Sequence, residues 1–267
     1  MSFSIAGKTA IVTGAAHGVG LAIARHFVDQ GANVVFADRD EAALEREVGQ
    51  LAGEEGPVRI FAGDLREKLT ITNLLSLTHD AFDRIDILVN ASRQVMTTDP
   101  FDPDDDSVSL LLQQNMMTAL KLSQATAKRM IKQADPDGDG PVGSIINLSS
   151  IAARRAHPDL LGYSISSAAL DQMTRALAVA LAPKRIRVNA VAFGSVMSAS
   201  LKGALKEQDG MRAEILEHTP LSRIASPGEV SDAVQYLASD ASGFVTGQII
   251  TVDGGRTLID PACVAAH

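Results

Sequence analysis

Thr13-Gly-Ala-Ala-His-Gly-Val-Gly20 is the stretch whose reading decides the fold. It follows a short β-branched run, Thr9–Thr13, and opens directly into apolar residues spaced at three and four positions over Gly18–Gln30. A strand that turns through glycines into a helix has a physical use. Gly14 permits a tight turn, Gly18 lets backbone approach a bound group, and Gly20 lets helix and strand pack closely. The first N–H groups of a helix lack internal partners and carry its positive dipole end, so they attract a pyrophosphate. Glycines are common in turns, and it is the strand before and the helix after that give this motif its meaning. His17 and Val19 complete the loop and are expected to line the same site.

Outward from this motif the chain keeps one rhythm. Short β-branched runs recur at Asn33–Ala37, Val58–Phe61, Ile85–Asn90, Ser144–Leu148, Arg187–Ala192 and Gln248–Val252. Between them, Glu41–Leu51, Val108–Lys132 and Ala168–Ala182 show helical spacing. Near-continuous apolar strands alternating with helices imply a parallel sheet covered on both faces. Right-handed crossovers make it an α/β, three-layer, doubly wound Rossmann fold with a parallel sheet of about seven strands. No linker-like composition divides the chain, so residues 1–267 are expected to form a single domain. Two segments break the rhythm: Thr97–Asp106, rich in aspartate, and Gly194–His218, a long interruption after the sixth strand where a substrate loop is expected. Asp135-Pro-Asp-Gly-Asp-Gly140 mimics the start of a calcium loop, but Ile146 stands where the bidentate Glu is needed, and a polar turn is the better reading.

The second strand run is followed by Asp38, eighteen residues beyond Gly20. A carboxylate there accepts hydrogen bonds from adenosine ribose hydroxyls and repels a 2′-phosphate, which favours NAD over NADP. Arg39 and His17 are nearby basic groups that pull the other way.

Composition bounds the remaining possibilities. The 267 residues are 46% hydrophobic and 21% charged, with a formal net charge of −8. No run of Lys and Arg suggests a nucleic-acid partner, and no stretch reaches the roughly 18 apolar residues of a membrane span. The beginning of the chain lacks the pattern of a signal peptide. The lone cysteine, Cys263, rules out an internal disulfide, so a cytoplasmic protein acting on small molecules is expected. The histidines at 17, 26, 79, 157, 218 and 267 show no metal-ligand spacing on one helix face. No Gly-x-Ser-x-Gly elbow points to a hydrolase.

Taken together, Thr13–Gly20, Asp64-Leu65, Asp86-Ile-Leu-Val-Asn90, Asn115, Asn147-Leu-Ser-Ser150, Tyr163, Arg187-Val-Asn-Ala-Val-Ala192 and Ser226-Pro-Gly-Glu-Val230 through Asp253-Gly-Gly255 resemble the short-chain dehydrogenase/reductases nearly end to end. The resemblance implies hydride transfer between NAD(P) and an alcohol or ketone, by a homo-oligomer, tetramer or dimer. It implies that Asp64 and Leu65 touch the adenine and that Asn90 and Ala91 lie along the cofactor. Gly194 and Val196 would meet the nicotinamide side. The family's catalytic set is Asn, Ser, Tyr and Lys. Asn115, Ser150 and Tyr163 match three of these, Ser150 being preferred to Ser149 because it lies thirteen residues before Tyr163. By this resemblance Ser150 hydrogen-bonds the substrate oxygen, Tyr163 exchanges a proton with it, and Asn115 holds a water in the proton path.

The fourth member is absent. The family's Tyr-x-x-x-Lys reads Tyr163-Ser-Ile-Ser-Ser167 here. Residues four apart share a helix face, so the missing ammonium would have stood beside both phenol and nicotinamide ribose. The Ser167 hydroxyl can still reach the ribose, but it carries no charge. An isolated phenol titrates near 10, so losing a cation within reach costs the proton transfer on the order of one to a few kcal/mol. Two further departures fall at the same end of the cofactor: Asn90-Ala-Ser-Arg93 puts a large cation where the family has glycine, and Phe193-Gly194 replaces Pro-Gly. Arg93 is a candidate substitute for the lysine, with Arg154 and Arg155 behind it. His157 lies in the loop between Ser150 and Tyr163, within range of a substrate. The chain is therefore expected to be an NAD(P)-dependent oxidoreductase of weakened or altered chemistry. The rival expectation is a catalytically silent dinucleotide-binding protein, serving as a sensor or passive subunit.

Overall fold

The computed structural model describes residues 2–53 and 55–260. Cys263 and His267 lie outside the described residues. The elements run β1 (Thr9–Thr13), α1 (Gly18–Asp29), β2 (Asn33–Asp38), α2 (Glu41–Val48), β3 (Val58–Ala62), α3 (Lys68–Phe82) and β4 (Ile87–Asn90). Then follow α4 (Ser107–Leu111), a π-helical turn over Leu112–Met117, α5 (Thr118–Gln133), β5 (Gly143–Ser150), α6 (Leu161–Leu181) and β6 (Ile186–Phe193). The chain continues with α7 (Ala199–Glu207), α8 (Met211–Glu217), α9 (Pro227–Ala238) and β7 (Ile249–Val252).

The seven strands form one sheet in the order β3-β2-β1-β4-β5-β6-β7, every pairing parallel. Side chains of a strand alternate between faces, and the core divides accordingly. Ala10, Val12, Val34, Phe36, Ile87 and Val89 pack with Ile23, Phe27, Val230 and Val234 from α1 and α9. Ile11, Val35, Leu88, Ile145 and Val188 pack on the other face with Leu74, Leu75, Leu122 and Met130 from α3 and α5. Apolar residues on both faces of a central strand are what the β-branched runs foretold.

Strand order reverses direction between β1 and β4, and a sheet of this kind leaves a crevice at the carboxyl ends of the two strands at such a point. Thr13 holds the crevice in shape. Its Oγ1 accepts the N–H groups of Ala91 and Ser92, each at 3.0 Å, which ties the segment after β4 to the end of β1.

Three expectations change in detail. The periodicity over Val108–Lys132 reads as one helix, whereas the structure inserts the π-helical turn between α4 and α5. The segment Gly194–His218 is not bare loop but carries α7 and α8. Helix α6 begins at Leu161, seven residues before its apolar spacing becomes regular, because polar Ser164, Ser166 and Ser167 interrupt the pattern. The Asp135–Gly140 segment is a turn whose Asp135 and Gly140 carbonyls accept hydrogen bonds from Arg185.

Candidate active site

The glycine loop faces a cleft lined by Gly14, Gly18, Gly20, Asp38, Asp64 and Ala91, with His17, Val19, Arg39 and Leu65 also on its walls. A Cβ on Gly20 would stand 2.1 Å from the Gly14 carbonyl oxygen, so helix and loop pack at a distance only glycine permits. Gly18 differs: its φ is +56°, and a Cβ there would meet no protein atom within 4 Å. It borders open space at the start of α1, whose first turn has no side-chain cap. An uncapped helix start, glycine against empty space and a carboxylate at the end of β2 fit the pyrophosphate and ribose of a dinucleotide.

The Asp38 carboxylate organises this loop. One oxygen accepts the Ala16 N–H at 3.1 Å, the other the Arg39 N–H at 2.7 Å and the Asp40 N–H at 3.1 Å. His17 Nε2 lies 2.9 Å from Asp40, whose carboxyl is held below its usual range by that hydrogen bond and by the Ala43 N–H. Asp64 is gripped by Arg66, which lowers its pKa through a two-pronged hydrogen bond. Three carboxylates thus ring this end of the cleft. The Asn90 side chain points into the layer between sheet and helices, donating to Ser123 Oγ at 3.0 Å and Asn147 Oδ1 at 2.8 Å. Its neighbour Ala91 is the one that borders the cleft.

A second cleft, of about 640 Å³, opens over the ends of β5 and β6 and meets the first at Val19, Arg93, Val95 and Ser198. Ser150 and Tyr163 both line it, Ser150 from the end of β5 and Tyr163 from the first turn of α6. Ser150 Oγ accepts the Ala152 N–H at 3.1 Å, which leaves its O–H free to donate. Gly194, Val196, Ser198, Leu201, Glu214 and His218 form the wall contributed by the segment after β6, together with His157 and Arg155 opposite. A parallel bridge between Val196 and Ala225, made by the Met197 N–H to the Ala225 carbonyl at 2.9 Å and the Ala225 N–H to the Ser195 carbonyl at 3.2 Å, steadies this wall. Ser167 is buried one turn beyond Tyr163 on α6.

Asn115 sits in the π-helical turn, a geometry often found where a side chain must be aimed. Its Oδ1 accepts the Gln94 N–H at 2.8 Å, and its Nδ2 donates to the Gln94 carbonyl at 2.9 Å and to Ser166 Oγ at 3.2 Å. The amide therefore clamps the backbone next to Arg93.

The Arg93 guanidinium donates a 2.8 Å hydrogen bond to Tyr163 Oη. It lies 4.2 Å from the centre of the Phe193 ring, within cation–π range. Phe193 is the strand partner of Ser150 in the β5–β6 register. Sequence reasoning singled out Arg93 and Phe193 separately and gave Thr13 no role. The contact between the first two spans a hundred residues, and no local pattern announces it. Arg154 instead donates to Thr251 Oγ1 at 2.6 Å on the surface, and Arg155 to the carbonyl of Thr257.

The sequence profile described as Enoyl-(Acyl carrier protein) reductase matches residues 14–257. The chain is 32% identical to 3-oxoacyl-[acyl-carrier-protein] reductase FabG of Thermotoga maritima, over 94% of this chain and 98% of the relative. It is 31% identical to 7alpha-hydroxysteroid dehydrogenase of Escherichia coli K12, over 93% of this chain and 94% of the relative. Among solved structures, a 7alpha-hydroxysteroid dehydrogenase complexed with NADH and 7-oxo glycochenodeoxycholic acid superposes with a TM-score of 0.86 at 30% identity, covering 95% of both chains. A putative gluconate dehydrogenase from Agrobacterium tumefaciens gives a TM-score of 0.87 at 25% identity, covering 97% of this chain and 99% of that one. With this fold and these relatives, the chain belongs to the short-chain dehydrogenase/reductase family and is an oxidoreductase. No described helix is long and apolar enough to cross a membrane.

Proposed function

We propose that this protein transfers hydride between NAD(H) and a small alcohol or ketone, with Ser150 and Tyr163 handling the substrate oxygen. The observation that carries the reading is the meeting of two clefts, one fitted to a dinucleotide and the other bearing both hydroxyls. A bound nicotinamide supplies or accepts the hydride. The chain's own residues do the rest. The Ser150 O–H donates to the substrate oxygen as charge develops on it. Tyr163 gives that oxygen its proton during reduction and removes it during oxidation.

Asp38 and Asp40, side by side at the adenosine end, favour NAD over NADP, because a 2′-phosphate would enter a field of like charge. Gly14, Gly18, Val19 and Gly20 hold the pyrophosphate, Asp64, Leu65 and Ala91 the adenine side, and Gly194, Val196 and Ser167 the nicotinamide side. We further propose that residues 1–267 act as one cytoplasmic domain in a homotetramer or dimer. Segment 194–218 then covers the substrate.

The test is direct. NADH fluorescence titration should show binding tighter than that of NADPH, and a panel of aliphatic, cyclic and steroidal ketones should contain substrates. Binding of NADH without turnover of any member would instead support the silent dinucleotide-binding reading. Binding of neither nucleotide would defeat both.

A further inference from the structure

We infer that Arg93 is the cation of the catalytic set, held on Tyr163 by Phe193 and by the Asn115 clamp. The inference rests on the hydride-transfer reading above and deepens it. Tyr163 Oη accepts from the guanidinium at 2.8 Å, so the phenol's own O–H stays free to donate toward the cleft. That is the arrangement a proton donor needs: one neighbour that steadies the oxygen left behind, and one open direction for the proton.

In reduction, the carbonyl carbon accepts hydride and its oxygen takes the proton of Tyr163. The phenolate that remains faces a positive charge at hydrogen-bond distance, and a solvent proton later restores the phenol. Arginine suits the role because it stays protonated throughout and fixes its direction through a rigid planar fork. It is a spectator to the proton's path and a stabiliser of the charge that path creates.

Two contacts keep it aimed. The ring of Phe193 at 4.2 Å supplies a face for the guanidinium to rest on. Phe193 stands opposite Ser150 across the β5–β6 ladder, so the group that positions the cation and the group that polarises the substrate share one backbone register. The Asn115 amide holds both backbone groups of Gln94, which fixes where the Arg93 side chain begins. Among the described residues no lysine hydrogen-bonds Tyr163. Ser167, one turn further along α6, is buried but neutral.

Three substitutions separate charge from hydrogen bonding: Arg93→Lys keeps the charge, Arg93→Gln keeps a donor without it, and Arg93→Gly removes both. In steady-state reduction of a panel ketone, Arg93→Gly and Arg93→Gln should each lower kcat by about 10-fold or more, and Arg93→Lys by much less. Adding Ser167→Lys to Arg93→Gly should recover most of the loss, whereas Ser167→Lys in the wild type should gain less than about threefold. Equal kcat in Arg93→Lys and Arg93→Gln would overturn the inference. So would kcat within about twofold of wild type in Arg93→Gly. If the wild type turns over no ketone, the hydride-transfer reading falls and the inference with it, whereas a wild type that turns over ketone no better than Arg93→Gly defeats the inference alone.

Discussion

Thr13→Val replaces a hydroxyl by a methyl of nearly the same size and therefore isolates the hydrogen bonds made by Thr13. In the wild type, Thr13 Oγ1 accepts from the Ala91 and Ser92 N–H groups at 3.0 Å each, and Ala91 and Thr13 are both buried. A buried backbone donor left without an acceptor costs about 1–3 kcal/mol. The Ser92 N–H lies nearer solvent and contributes at the low end, so the pair should cost about 2–4 kcal/mol. For a chain of this size that corresponds to a fall in Tm of about 5–15 °C. Thr13→Ser keeps the acceptor and loses only a methyl, worth roughly 1 kcal/mol. Thermal unfolding followed by circular dichroism compares the two, and NADH titration of the same samples reports whether the Ala91–Arg93 segment has shifted. A valine variant as stable as the serine variant would refute the claim that Thr13 fastens the two strand ends together.

Gly20→Ala must push the Gly14 carbonyl outward by roughly 1 Å to escape a 2.1 Å contact, and overpacking of this kind costs about 1–3 kcal/mol. It should weaken NADH binding and lower Tm together, and unchanged values for both would count against the loop geometry. Asp38→Asn should narrow the NADH over NADPH preference by about 10-fold, or ~1.4 kcal/mol, and a preference that stays the same would mean the carboxylate does not meet the 2′-position. Glu229 accepts from Arg223 at 2.7 and 2.5 Å and from the Ser226 N–H at 2.9 Å, which brings its pKa to about 2. A carboxylate pKa lowered on folding stabilises above the unfolded value and loses that contribution as pH falls toward about 2. Glu229→Gln should therefore cost about 1 kcal/mol or less at pH 7, since the site is partly exposed, with the difference shrinking below about pH 4.5. Parallel melting curves from pH 7 to pH 3 that keep a constant gap would contradict this.

The architecture was readable because its determinants are local. Gly14, Gly18 and Gly20 lie within seven residues, and the β-branched runs announce strands without reference to anything distant. The π-helical turn was not readable, because one extra residue in Val108–Lys132 leaves the apolar spacing nearly intact. Helices α7 and α8 were hidden by their shortness and mixed polarity, although Leu201, Leu205, Ile215 and Leu216 hinted at them. At the candidate site, Ser150 and Tyr163 were named through the family resemblance, their separation along the chain deciding only between Ser149 and Ser150. The Arg93–Tyr163 contact was named only as one candidate substitute for the lysine, and the part of Phe193 was not foreseen, since three residues from three different elements converge there. What the sequence did offer was a coincidence: unusual residues at 93, 167 and 193, all toward one end of the cofactor.

The wide turn at Leu112–Met117 has a consequence for how this protein tolerates change. Each residue of an α-helix advances the direction of its side chain by about 100°, so deleting one residue inside the turn would restore regular winding and swing Asn115 off the Gln94 backbone. A shortening that looks harmless, even favourable to helix formation, would unfasten Arg93 from a position two elements away. Length here is as much a specification as side-chain identity.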